Sequence, residues 1–191
     1  GIPAHSPLVF DVLARRNGGK VQRLAPNARA LMQAAEDASR HGGTLGHTPE
    51  GVSPLILVGN GEGSYIFPEF HPGFDAAFSL AKLTTMLQSS GLKLSEVFAE
   101  LPSFQLAYEQ VRCPWEAKGI VMRKISEESK KERVELVDGI KIFSNGGWVL
   151  VLPDAVEPLF HVYAESGAEE ESQEMASAYV RKIEQYQAHL A

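Results

Sequence analysis

Val149-Leu150-Val151-Leu152-Pro153-Asp154-Ala155-Val156-Glu157-Pro158, followed by Leu159-Phe160-His161-Val162-Tyr163-Ala164-Glu165, decides how the second half of this chain folds. Two apolar runs, Trp148–Leu152 and Leu159–Ala164, read as strands. Between them Pro153 and Pro158 fix the backbone, so segment 152–158 reads as a tight strand-to-strand connection. Working back, Val134–Val137 and Ile140–Phe143 are further strand candidates, and Asn145-Gly146 is a hairpin signal. After Cys113-Pro114 a helix is expected to carry Trp115, Gly119, Met122 and Ile125 on one face. At the other end Ser166-Gly167-Ala168-Glu169 matches a capping box, with Glu170 and Glu171 favourable at the positive helix end. The final helix keeps Met175, Tyr179, Ile183, Tyr186 and Leu190 on one stripe. Helix, antiparallel strands, helix predicts an α+β domain over residues 104–191, an antiparallel sheet with two helices.

The first half reads differently. Leu8 to Arg15 is a short helical segment ended by Asn17-Gly18-Gly19, and Lys20 to Leu24 alternates as a strand. Pro26 opens a helix through Ala28, Leu31, Ala34 and Ala35. Residues 42–54 read as loop. Leu55-Ile56-Leu57-Val58 is a fully apolar strand of the kind buried on both faces. Phe74 to Leu87 has the wide apolar face of a helix. Ser95 is placed as the cap of a second helix, which Pro102 stops. Phe104 to Arg112 reads as an extended crossover. Residues 1–103 are thus expected to form an α/β domain, a mixed sheet with helices.

At 191 residues and 44% apolar content the chain can bury a core. A net charge of −6 without a basic cluster argues against nucleic acid. The charge-rich stretch Glu127 to Glu135 mixes both signs and reads as a solvated helix end. No apolar run approaches the ~20 residues that span a membrane, and no signal peptide is read. Cys113 is the single cysteine and has no internal partner, which fits a reducing, cytoplasmic setting. The chain opens on Gly1-Ile2-Pro3 without methionine, so it is expected to be a piece of a longer protein.

Gly59-x-Gly61-x-Gly63 after an apolar strand invites a dinucleotide or P-loop reading, but no Gly-Lys-Ser/Thr follows and the next segment is strand-like. Glu62 beside Ser64 is sugar-binding chemistry, since a carboxylate accepts from vicinal hydroxyls and a serine both donates and accepts. The same residues read equally as a glycine-rich turn with polar residues exposed. His5, His41, His47, His71, His161 and His189 show no metal-ligand spacing, and no metal is assigned. His161, in a strand, is expected to be partly buried and hydrogen-bonded.

Several of these motifs, taken together, resemble the α-D-phosphohexomutases, the phosphomannomutases and phosphoglucomutases. Gly61-Glu62-Gly63-Ser64 is similar to the first four positions of the family's Gly-Glu-x-Ser-Gly-His sugar loop, with Tyr65 and Ile66 in place of Gly-His. Phe67-Pro68-Glu69-Phe70-His71-Pro72-Gly73-Phe74-Asp75-Ala76 continues that resemblance through the end of the third domain, and residues from about 104 onward resemble the fourth. The resemblance implies substrate binding at Gly61, Glu62, Gly63 and Ser64. Where the family reads Arg-x-Ser-x-Thr-Glu-Pro and grips a phosphate, Leu152, Asp154 and Val156 replace the three ligands, while Glu157 and Pro158 remain. Leucine and valine offer no donor. An ionised Asp154 would repel a phosphate, by about 1 kcal/mol at 4 Å in water and about 4 at a surface-like dielectric.

The family's phosphoserine loop and Asp-x-Asp-x-Asp magnesium loop have no counterpart here, so no catalytic residue is assigned and no mutase activity is expected of the chain alone. Magnesium is expected only through upstream domains, if these are intact. Cys113-Pro114-Trp115-Glu116-Ala117-Lys118-Gly119-Ile120-Val121-Met122-Arg123, with Leu152-Pro153-Asp154, resembles a branch in which the mutase-like region follows a sugar nucleotidyltransferase of the mannose-1-phosphate guanylyltransferase type. The partners so implied are a sugar phosphate, held weakly or not at all, and upstream mutase and nucleotidyltransferase domains; a homo-oligomer is left open. The alternative is a degenerate, non-catalytic scaffold, an oligomerisation or regulatory module.

Overall fold

The computed structural model describes residues 1–41, 55–144 and 146–188 and divides the chain into two compact units, Gly1–Pro102 and Ser103–Ala191. It has an α/β first unit and an α+β second unit. The loop expected at 42–54, the Asn145 half of the hairpin signal, and Leu190 lie outside the described residues.

In the first unit β1 (Ile2–Pro3) runs parallel to β2 (Arg23–Leu24), on either side of α1 (Val9–Arg16). α2 (Ala28–His41) presents Leu31 and Ala35 to β3 (Val58–Gly59) and β4 (Tyr65–Ile66), where Val58 and Ile66 are fully buried. Arg23 ties the α1 side down through an ion pair to Asp11 and bonds to the carbonyls of Ser6 and Pro7. The strand expected over Leu55–Val58 is shorter and not buried throughout: Ile56 is 73% exposed and Leu57 40%. β3 pairs only with β4 over two registers; of the residues before it, Leu55 packs on the Leu31, Ala35, Val58 and Ile66 cluster and Leu57 O accepts from the Gly1 amine at 2.7 Å, while the Ile56 side chain is left to solvent.

α3 (Ala76–Ser90) begins where Asp75 accepts the Phe78 N–H at 2.8 Å and ends at Gly91, whose φ of +68° only glycine adopts freely. The helix is as expected, but none of its residues is buried; Leu80, Leu83 and Met86 are exposed. α4 (Leu94–Ala99) is capped from Lys93, whose N–H meets the Glu96 carboxylate at 2.8 Å, so Ser95 lies inside the helix.

The second unit is a five-stranded antiparallel sheet. Its strands are β5 (Gln105–Arg112), β6 (Arg133–Glu135), β7 (Ile140–Ser144), β8 (Gly147–Pro153) and β9 (Leu159–Ser166), in the order β5-β9-β8-β7-β6. α5 (Trp115–Glu128), continued by a 3₁₀ turn at Ser129–Lys131, and α6 (Glu169–Ala188) pack on one face. Alternation builds that face: Ile140 and Ile142, Val149 and Val151, Phe160, Val162 and Ala164 all enter the core. On the opposite face of β8, Trp148 and Leu150 are also fully buried, and the Trp148 indole donates to Glu165 at 2.8 Å. Ser144 pairs with Gly147 at the end of the β7–β8 ladder.

Three local expectations change here. Phe104–Arg112 is no crossover: residues from Gln105 form the edge strand β5, paired along its whole length with β9. Glu109 points to the helix side, where Gln173 and Ser177 of α6 bind its carboxylate, so a polar residue sits where alternation calls for an apolar one. On α5 the buried positions are Ala117, Lys118, Val121 and Ile125, while Trp115 is half exposed and Gly119 faces open space. The Ser166 hydroxyl bonds to Ala168 in both directions and does not reach Glu169; the first turn of α6 is closed by Ser172 N–H to Ala168 O at 3.1 Å.

Candidate functional site

Two loops carry the chemistry, one in each unit. In the first, residues 60–64 close the β3–β4 hairpin. Asn60 organises it: its side-chain oxygen accepts from Glu62 N–H at 2.8 Å and Ser64 N–H at 3.0 Å, and its own N–H donates to Ser64 O at 3.1 Å. Gly61 and Gly63 have φ of +83° and +88°, a backbone that side chains with a Cβ adopt only under strain. The expected residues Gly61, Glu62, Gly63 and Ser64 therefore lie together at one tight tip, with Glu62 exposed. The two glycines also line a cavity of about 310 Å³ with Ser6, Lys20 and Tyr65. Asn60 fills a variable position of the glycine motif, and Ser6 and Lys20, distant in sequence, reach the cavity only through the fold of this unit.

In the second unit β8 runs into the 152–158 loop. Leu152 is 5% exposed and belongs to the strand, opposite His161, so it does not reach the loop's mouth. Val156 is 83% exposed at the tip, and Glu157 is also exposed. Asp154 turns inward. One of its carboxylate oxygens accepts from the N–H groups of Val156 and Glu157, both at 2.6 Å; the other meets His161 Nε2 at 2.8 Å. His161 Nδ1 lies 2.8 Å from the Tyr108 hydroxyl, which accepts from Gln110 at 2.6 Å. With the imidazole proton on Nε2, each of these links has one donor and one acceptor.

Behind the loop, the Lys118 ammonium donates to the carbonyls of Asp154 at 2.7 Å and Glu157 at 2.5 Å, and it lies 3.8 Å from the centre of the Trp115 ring. Cys113 N–H meets Pro158 O at 2.8 Å, which fastens the loop's exit. The His161 hydrogen bond, with the N–H groups of Glu157 and Val156, holds the Asp154 carboxyl well below the usual carboxylate range. Burial pushes the Cys113 thiol up, with Lys118 partly opposing, so this cysteine is a poor nucleophile.

Sequence reasoning missed Lys118, Tyr108 and Gln110 at this loop. His161, expected as a hydrogen-bonded strand residue, is one. Asp154 does more than repel a phosphate: its carboxylate also occupies the backbone donors of Val156 and Glu157.

No protein-family model matches the chain. A probable phosphoglucosamine mutase of Methanopyrus kandleri is 31% identical over 180 residues, covering 88% of this chain and 39% of that protein. A phosphoglucomutase/phosphomannomutase of Thermococcus kodakarensis is 31% identical over 183 residues, 93% of this chain and 36% of that protein. The fold is similar to a Burkholderia thailandensis phosphoglucomutase/phosphomannomutase family protein, with a TM-score of 0.68 at 14% identity over 93% of this chain and 35% of that one. The chain spans less than two-fifths of the length of these relatives. They support a C-terminal region of the phosphohexomutase kind. Among the described residues no helix is long and apolar enough to cross a membrane.

Proposed function

We propose that this chain is the C-terminal part of a phosphohexomutase-like polypeptide acting in sugar-phosphate and nucleotide-sugar metabolism. It supplies a sugar-hydroxyl contact and no phosphoryl-transfer chemistry. The observation that carries this reading is the 60–64 hairpin, in which Asn60 fixes the backbone of Glu62 and Ser64 and leaves the Glu62 side chain exposed beside Ser64. A carboxylate on a backbone held in this way can accept from two neighbouring hydroxyls of a pyranose. Magnesium, where the parent uses it, belongs to domains upstream. Glu62 is a single exposed carboxylate, and Asp154 is already engaged by Val156, Glu157 and His161, so neither loop makes a magnesium site.

The parent is proposed to be cytoplasmic and to carry a sugar-1-phosphate nucleotidyltransferase ahead of the mutase-like region; the Cys113–Arg123 wording and Leu152-Pro153-Asp154 support the fusion. A second reading, a non-catalytic scaffold or regulatory module, is favoured by the self-engaged Asp154 loop.

The test is a titration of the purified chain with mannose 1-phosphate and with free mannose, read on the backbone amides of Glu62–Ser64. Weak saturable shifts are expected, at millimolar dissociation constants, on the order of −4 kcal/mol, and Glu62→Gln should abolish them. No shift at any sugar concentration would overturn the sugar contact and favour the scaffold. Mutase turnover by the pure chain, surviving a control for host contamination, would overturn the non-catalytic assignment.

A further inference from the structure

We infer that Asp154 is a resident anion: its carboxylate fills an oxyanion-binding loop from within and thereby excludes external phosphate groups. Three elements converge to build this arrangement. The loop directs two successive N–H groups, of Val156 and Glu157, at a single oxygen 2.6 Å away. Strand β9 brings His161 to the second oxygen at 2.8 Å, with its ring oriented by Tyr108 from β5. Helix α5 brings the buried Lys118 ammonium against the carbonyls of Asp154 and Glu157, so that a fixed positive charge holds the loop on either side of the two donor N–H groups. Convergent backbone donors backed by a cation are what a tetrahedral oxyanion needs. Asp154 takes both N–H groups, so an arriving phosphate would meet their donors occupied and a negative charge in front of them. Asp154 is therefore the specificity-determining residue of the loop, and it acts by occupation as well as by repulsion.

The inference rests on the reading above only in that the native loop takes no external phosphate; it is independent of the sugar contact at Glu62. Substituting Asp154 should unmask the site. Asp154→Ala empties the loop, whereas Asp154→Asn retains an amide oxygen that still accepts both N–H groups. The experiment titrates the whole chain with inorganic phosphate at constant ionic strength and follows the backbone amides of Val156 and Glu157.

In the native chain and in Asp154→Asn these amides should stay still. In Asp154→Ala they should shift saturably, with phosphate bound roughly tenfold or more tightly than in the native chain, the equivalent of one charge-assisted hydrogen bond. If Asp154→Ala loses the protected amides joining β8 to β9, Asp154→Ser decides instead, because its hydroxyl caps one N–H and leaves the other. Saturable shifts in that variant support the inference, and still amides overturn it. Still amides in a folded Asp154→Ala also overturn it while leaving the Glu62 contact intact. Saturable phosphate binding at this loop in the native chain would overturn both the occupation by Asp154 and the claim that the loop lacks a phosphate grip.

Discussion

Replacing Lys118 with methionine keeps most of the aliphatic stem and removes the ammonium that holds the 152–158 loop from behind. Two hydrogen bonds are lost, to Asp154 O at 2.7 Å and Glu157 O at 2.5 Å. A hydrogen bond to a charged group is worth about 1.5–3 kcal/mol, so the gross loss is about 3–6 kcal/mol. Contact with the half-exposed Trp115 ring adds about 0.5–1 kcal/mol. Against this, residues 155–158 are exposed, so water can reach the loop and replace part of what is lost. Removing a charge that is only 8% exposed also relieves its desolvation. The net expectation is a destabilisation of about 2–3 kcal/mol. Both tryptophans, Trp115 and Trp148, lie in the second unit, so urea unfolding followed by fluorescence reports that unit alone. At a urea slope of about 1–3 kcal/mol/M the midpoint should fall by about 0.7–3 M. A midpoint within about 0.2 M of the native chain, with an unchanged slope, would show that water holds the loop carbonyls as well as Lys118 does.

Acid sensitivity should follow Asp154. Its folded pKa is depressed, so its stabilisation is complete above about pH 5, where the unfolded carboxyl is also ionised, and is lost as pH falls towards the lowered folded value. The urea midpoint should therefore drop more steeply below about pH 4 in the native chain than in Asp154→Asn; parallel curves would remove Asp154 from the acid limb. A Cβ at Gly147 would lie 1.7 Å from the Glu165 carbonyl oxygen, so Gly147→Ala must part β8 from β9 and should cost about 3 kcal/mol or more. Gly167→Ala meets nothing within 4 Å and should stay within about 0.5 kcal/mol by the same fluorescence assay, and equal costs at the two positions would contradict the packing. Gly63→Ala is strained by its φ of +88° alone and should cost about 1–2 kcal/mol, read as faster amide exchange at Ile66; unchanged exchange would mean the hairpin tip relaxes freely.

The sheet of the second unit was legible because its inward positions alternate cleanly, from Ile140 and Ile142 through Val149 and Val151 to Phe160 and Val162. Edge strand β5 was not, because Glu109 occupies an inward position and is satisfied by Gln173 and Ser177, residues far along the chain. On α5 the expected stripe holds at Ile125 and, partly buried, at Met122, but misses at Trp115 and Gly119 for a related reason. Trp115, expected on the stripe, is half exposed, while Lys118, which the stripe leaves out, is buried where it meets two carbonyls. In the first unit α3 is readable from its apolar spacing, yet spacing does not say that Asp75 caps it or that Leu80 and Met86 stay exposed. At the sites, the glycine hairpin was visible as a motif, whereas the role of Asp154 was not. Its charge is written in the sequence; its orientation depends on His161 and Tyr108, which only strand pairing brings near.

The Asp154 carboxylate also changes what the loop can respond to. A free ligand occupies a site according to its concentration, and occupancy rises and falls with the surrounding pool. A group tethered within the same loop is present at an effective concentration of at least millimolar even on a flexible linker, and higher where the linker is held at Pro158 and behind Asp154 and Glu157. The loop is then saturated under all conditions in which Asp154 stays ionised. A loop of this kind measures nothing in solution: its occupancy is set by the fold, and the strands around it meet the same charge and the same shape whatever the metabolite pool contains.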